Sequence, residues 1–156
     1  MTDETQSPVV FIDKPRHPDL QALLDYWSQK RGTRAMPARA DIKPAEIKPL
    51  LPDVMIWSAI DPYLIRLVGD HIVNFVGTNN TGKPATDGMP PDAAAGMRVV
   101  FLQVIAAKTP RFRFGRAFWL PKKDYRFFEA AYLPLSADGE TVDMILGGIK
   151  FDFISE

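Results

Sequence analysis

"YLPLSADGETVDMILGGI", residues 132–149, sets two apolar runs on either side of a polar island, and its reading decides the fold. The island holds Asp138, Glu140 and Asp143, which are either a catalytic or metal-binding set or the outside of a turn. Ser136-Ala137-Asp138-Gly139 has the chemistry of a turn: Ser and Asp side chains bond their own backbone, and Gly supplies positive φ. Paired catalytic carboxylates need opposed positions in a cleft, which a hairpin tip does not offer. A calcium loop needs a longer oxygen-rich pattern. The stretch is therefore two strands and their connection, and no catalytic and no metal-ligating residue is assigned to it.

Working outward, "YRFFEAAYLPLS" and "TVDMILGGIKFDF" read as consecutive strands, preceded by "RFRFGRAFW" at residues 111–119 and the polar turn "PKKD". Upstream, residues 54–60 ("VMIWSAI") and 63–69 ("YLIRLVG") form a hairpin across Asp61-Pro62. Connections this short demand antiparallel pairing. "HPDLQALLDYWSQKRGTR" is an amphipathic helix: Pro18 suits its first turn, Gly32 its stop, and Leu20, Leu23, Leu24 and Trp27 share one face. "PDAAAGMRVVFLQVIAAKTP" is a second, capped by Asp92, with Met97, Val100, Phe101 and Val104 as its stripe and Ile105 widening it. Between the first helix and the hairpin, "MPARADIKPAEIKPLLPDV" is punctuated by prolines; Asp41 suits the cap of one short turn and Pro44 the start of another. Asp70 suits the cap of a short helix after the hairpin. Residues 1–16 read as a flexible arm whose residues 9–12 are a short apolar patch able to pack on the domain, and residues 17–156 as a single domain. One antiparallel sheet with helices on one face is an α+β fold.

Composition narrows the function. The chain has 156 residues, 46% hydrophobic and 24% charged, in the range of one folded domain. Nineteen basic side chains balance 19 acidic ones, so the footprint of a general nucleic-acid binder is missing. There is no cysteine, which excludes thiolate metal sites, cysteine nucleophiles and cofactors tethered through sulfur. No apolar run approaches the roughly 20 residues of a membrane span. The acidic start "MTDETQSPVVFIDKP" is unlike a signal peptide. The expectation is a cytoplasmic protein with neither nucleic acid nor membrane as partner.

The order of elements, and the stretches "DYWSQKRGTRAMPARADIKPAEIKPLLPDVMIW", "YLIRLVGDHIV", "TGKPATD" and "LPLSADGETVDMILGGI", together resemble the short PAS-like family of alphaproteobacteria over roughly residues 20–150. Its "P-x-R-x-D-I-x-P" segment corresponds to Pro37, Arg39, Asp41, Ile42 and Pro44. The resemblance implies a five-stranded antiparallel PAS-like sheet with an N-terminal flanking helix. It implies a sensory or regulatory module of bacterial signal transduction that binds a small ligand or a protein partner without catalysis. It also favours a homodimer through the flanking helix. The alternatives are a ligand-free interaction adaptor with a filled core and, behind it, a nucleotide- or anion-binding protein or small enzyme.

The cofactor stays unassigned. His17 and His71 are the two histidines, and neither lies on the long helix where an axial haem ligand of such a domain would sit. "GTNNTGK", residues 77–83, has phosphate-loop spacing, but Pro84 replaces the hydroxyl that holds magnesium, so it reads as a loop. Phe101, Tyr132 and Met144 come from elements that face one another in this fold and are candidates to line a cavity. Arg116 shares strand parity with Phe112 and Phe114 and is the candidate anchor for a ligand carboxylate or phosphate, unless Gly115 is a bulge that reverses the parity. Arg31, Arg34 and Arg39 form a basic cluster that suits either a solvated helix end or an anion or partner contact. Gly147-Gly148 leaves room for a close helix, a bulge or a ligand.

Overall fold

The computed structural model describes residues 9–117 and 126–153. Strand β1 is Val10–Ile12, and helix α1 is Pro18–Arg31. His17 caps α1: its Nδ1 accepts from the Asp19 amide at 3.0 Å, and Pro18 fills the first position, where no N–H is needed. The proline-rich segment becomes three short 3₁₀ turns, Arg39–Asp41, Pro44–Ile47 and Leu51–Asp53. Asp41 closes its turn from behind instead of opening it, accepting from the Ala38 amide at 2.9 Å. Strands β2 (Val54–Ser58) and β3 (Ile65–Val68) follow, then α2 (Asp70–Val76) and α3 (Pro91–Ala107). Gly69 and Pro90 take the cap positions expected for Asp70 and Asp92, which move into the first turn beside the positive helix end. Strands β4 (Arg111–Arg116), β5 (Arg126–Leu135) and β6 (Met144–Phe153) complete the sheet. The final strand starts at Met144, three residues later than expected, because the hairpin tip occupies residues 136–143. The expected end of the 111–119 strand, residues 118–119, lies outside the described residues.

Among the described residues the strands form one sheet in the order β1-β4-β5-β6-β2-β3, every pair antiparallel. The fold is α+β, with six strands where five were expected. The sixth is β1, inside the expected arm; it pairs Val10–Ile12 with Phe114–Phe112. The next residues are also held, since the Arg16 and His17 amides donate to the Glu129 carboxylate at 2.6 and 3.2 Å.

Both sheet faces are covered. α2 and α3 lie on one, and α1 on the other. The Leu20, Leu23 and Trp27 stripe of α1 is buried to 4% exposure or less. Each such burial contributes on the order of 2 kcal/mol. The Trp27 indole donates to the Pro134 carbonyl at 2.8 Å. Lys150 on β6 bonds Asp19 of α1 at 3.1 Å and buried Asp53 at 2.8 Å, and Asp53 also meets His71 Nδ1 at 3.1 Å. Burial disfavours the Lys150 ammonium, but the two carboxylates outweigh it and its pKa is raised. The apolar stripe of α1 is therefore covered by its own sheet, and the face of α1 that remains outward is polar.

Candidate functional site

The hairpin tip holds its own carboxylates. Asp138 Oδ1 accepts from the Glu140 and Thr141 amides at 2.8 Å and from the Ser136 hydroxyl at 2.9 Å, and Gly139 stands at φ +81°. The amides of Thr141 and Glu140 hold its pKa down to about 2. Asp143 accepts from the Ala137 amide at 2.8 Å. These groups serve the turn. Residues 77–83 form a turn against β3, where Ile65 donates to the Lys83 carbonyl at 2.9 Å.

The basic cluster likewise closes local structure. Arg34 bonds the Lys30 and Arg31 carbonyls at 2.6 and 3.2 Å and pairs with Asp41 at 3.0 Å. Arg39 donates to the Ile42 carbonyl at 3.0 Å. Arg31 donates to the Arg34 carbonyl at 3.1 Å and lies over the Trp27 ring. Arg34 and Arg39 thus spend their donors on the negative helix end and its turn, whereas Arg31 Nε is buried with no acceptor among the described residues.

The interior between α3 and the sheet is different in kind. The α3 stripe of Met97, Val100, Phe101 and Val104 is buried to 5% exposure or less. Phe101 meets the Trp57 ring of β2 at 5.1 Å, Tyr132 of β5 at 6.1 Å and Tyr63 at 4.8 Å. Tyr63 sits at φ +61° in the β2–β3 connection, a conformation unusual for a bulky residue, and turns its ring inward. Trp57 stacks on Tyr132 at 5.9 Å. Gly147 makes that stack possible: it lies between them in the sheet, and a Cβ there would fall inside the Trp57 ring.

Two of the four expected ligand residues, Phe101 and Tyr132, thus come together. Met144 does not join them. It pairs with Leu135 and Ser58, and strand alternation puts all three on the α1 side of the sheet. Arg116 does not join them either. β4 runs without a bulge, pairing Arg111↔Tyr132 through Arg116↔Phe127, so Phe112, Phe114 and Arg116 share the α1 side, where the Arg116 guanidinium lies over Phe127. The inward cation is Arg113. It is 8% exposed, and its Nη2 and Nε donate to the Tyr132 hydroxyl at 2.7 and 3.2 Å. Nη2 also reaches Met97 Sδ at 3.7 Å, and the guanidinium lies over the Phe128 and Tyr132 rings. No carboxylate pairs with Arg113 among the described residues. The Trp57 indole N–H, fully buried, likewise has no acceptor among the described residues.

Among the described residues no group of three or more His, Asp or Glu is placed to hold a metal, and no helix is long and apolar enough to cross a membrane.

A family model described as PAS domain matches residues 15–150. No curated protein matches the chain in sequence. Among solved structures, the PAS domain of BvgS from Bordetella pertussis is similar at TM-score 0.55 and 20% identity, over 72% of this chain and 83% of that one. A sensory box sensor histidine kinase from Vibrio cholerae is similar at TM-score 0.54 and 17% identity, over 71% and 90%. A PAS domain from Colwellia psychrerythraea follows at TM-score 0.53 and 12% identity, over 72% and 100%. At these identities the likeness is one of fold.

Proposed function

Because the chain belongs to the PAS domain family, we propose that it is a sensory or regulatory module of bacterial signal transduction, working in the cytoplasm and binding a small ligand without catalysis. Residues 17–156, with β1 added to their sheet, are read as the single domain that does this. The observation that carries the ligand reading is the polar interior under α3. A core built only for stability does not need Arg113 where no carboxylate answers it, or an indole N–H without an acceptor. The signal is then a shift in packing between α3 and the sheet, favoured by whatever binds one arrangement better than the other. Native mass spectrometry of the purified protein tests this. A resident small molecule that leaves on denaturation is expected; a bare chain mass, with no small-molecule stabilisation in a thermal screen, counts against it.

One observation favours the adaptor reading. Phe11 of β1 and Val99 and Leu102 of α3 are 46–58% exposed. An open cleft lined by Phe11, Asp13, Gln103 and Arg111 separates the two elements. Exposed apolar groups rimmed by polar ones suit a protein contact. The same native spectra report oligomeric state, so a bare mass together with a specific oligomer would move the conclusion to the adaptor.

A further inference from the structure

The donors of the interior outnumber its acceptors, and they do so in one sense only. The bonds that the Arg113 guanidinium makes use Nε and Nη2; Nη1 makes none among the described residues and keeps some accessible surface, open to a further acceptor. The Tyr132 oxygen accepts twice from Arg113, and its own O–H finds no acceptor among the described residues. The Trp57 N–H is the third. Arginine and tryptophan side chains cannot accept at all. A ligand that satisfies such a site brings oxygen lone pairs and no hydrogens of its own.

Charge and surroundings narrow the class. The guanidinium is one fixed positive charge in a fork that matches a carboxylate. A phosphate dianion needs more positive charge than one side chain provides, and Arg113 faces the second turn of α3 at Gly96 and Met97, past the free amides of the first. The neighbours are Phe101, Phe128, Trp57 and Met97, all 5% exposed or less, which suit an apolar body.

We infer that the interior takes a small monocarboxylate, its carboxylate on the Arg113 guanidinium and the Tyr132 hydroxyl, its aromatic or short aliphatic body against Phe101, Phe128 and Met97. This rests on reading the chain as a ligand-binding module.

The test pairs charged with uncharged probes. Benzoate and hexanoate are titrated against benzamide and hexanamide, with inorganic phosphate as the dianion, by thermal shift and tryptophan fluorescence. The carboxylates are expected to bind on the order of tenfold or more tighter than the amides, as one charge-assisted bond implies, and phosphate not to bind. The double variant R113M/Y132F removes the cation and leaves no unpaired hydroxyl. It is expected to melt no lower than the parent protein and to lose the preference for carboxylates. Equal binding of acids and amides overturns the carboxylate inference and leaves the ligand reading standing. So does a resident ligand, seen in the native spectra, with no response to the acids. No probe binding and no resident ligand overturn both. A double variant that melts well below the parent, with no acid preference in the parent, makes Arg113 a strut of the core.

Discussion

Gly147 and Asp138 show how single residues set this structure. Gly147 gives its side-chain volume to the Trp57 ring. G147A forces a rigid indole aside, and overpacking of this kind destabilises by about 2 kcal/mol. Urea melts are expected to show that loss, and near-UV circular dichroism a changed aromatic signal. Asp138 is held near a pKa of about 2 by the Thr141 and Glu140 amides and the Ser136 hydroxyl. A depressed carboxylate stabilises the fold above its unfolded value, near 3.9, and that contribution fades as pH falls through the folded one. The difference between the parent and D138N in urea melts is therefore expected to be steady from pH 7 to about pH 5 and to shrink toward pH 2. A difference that does not change with pH would remove the ionised carboxylate from the account.

Elements were legible in the sequence where their signal is local. The stripes of α1 and α3 follow from 3.6-residue spacing: Leu20, Leu23 and Trp27 on one helix and Met97, Val100, Phe101 and Val104 on the other are buried, while Leu24 and Ile105, at the margins of the expected stripes, are only partly so and Ala94 joins the buried set. The hairpin tip followed from turn chemistry at Ser136–Gly139. β1 was illegible as a strand because three residues are too few for alternation to show. Arg113 was missed for a subtler reason. A sheet covered on both faces is apolar at both parities, so alternation no longer says which face is the interior. Arg116 shares the parity of Phe112 and Phe114, which face α1, and Met144 lies on a strand that faces α3 but at the parity that turns away from it. The tie between elements makes its own prediction. K150M leaves Asp53 buried beside His71 alone and releases Asp19 of α1. Breaking such a pair from one side destabilises by about 3 kcal/mol, and amide exchange in α1 is expected to quicken more than in α3.

The whole molecule ends its sheet at β1 on one side and β3 on the other. β1 covers the free edge of β4, and Gly115 lets it close in, since a Cβ there would meet the Val9 backbone. A chain lacking residues 1–13 keeps α1, the Glu129 tie and the remaining five strands, but bares β4. Open edges pair with one another. The truncated protein is expected to fold, with unchanged far-UV circular dichroism, and to self-associate with rising concentration in sedimentation velocity. A strictly monomeric truncation would show that β1 does not guard the edge.

Gly148 faces the other way from Gly147, and a Cβ on it would press on the Leu20 and Leu23 methyl groups. The wall between Trp57 and α1 is at this point a single backbone with no side chain on either surface. A push on the indole has nothing soft to absorb it before it reaches the first helix. A ligand of the proposed kind would therefore stand only one peptide's thickness from α1.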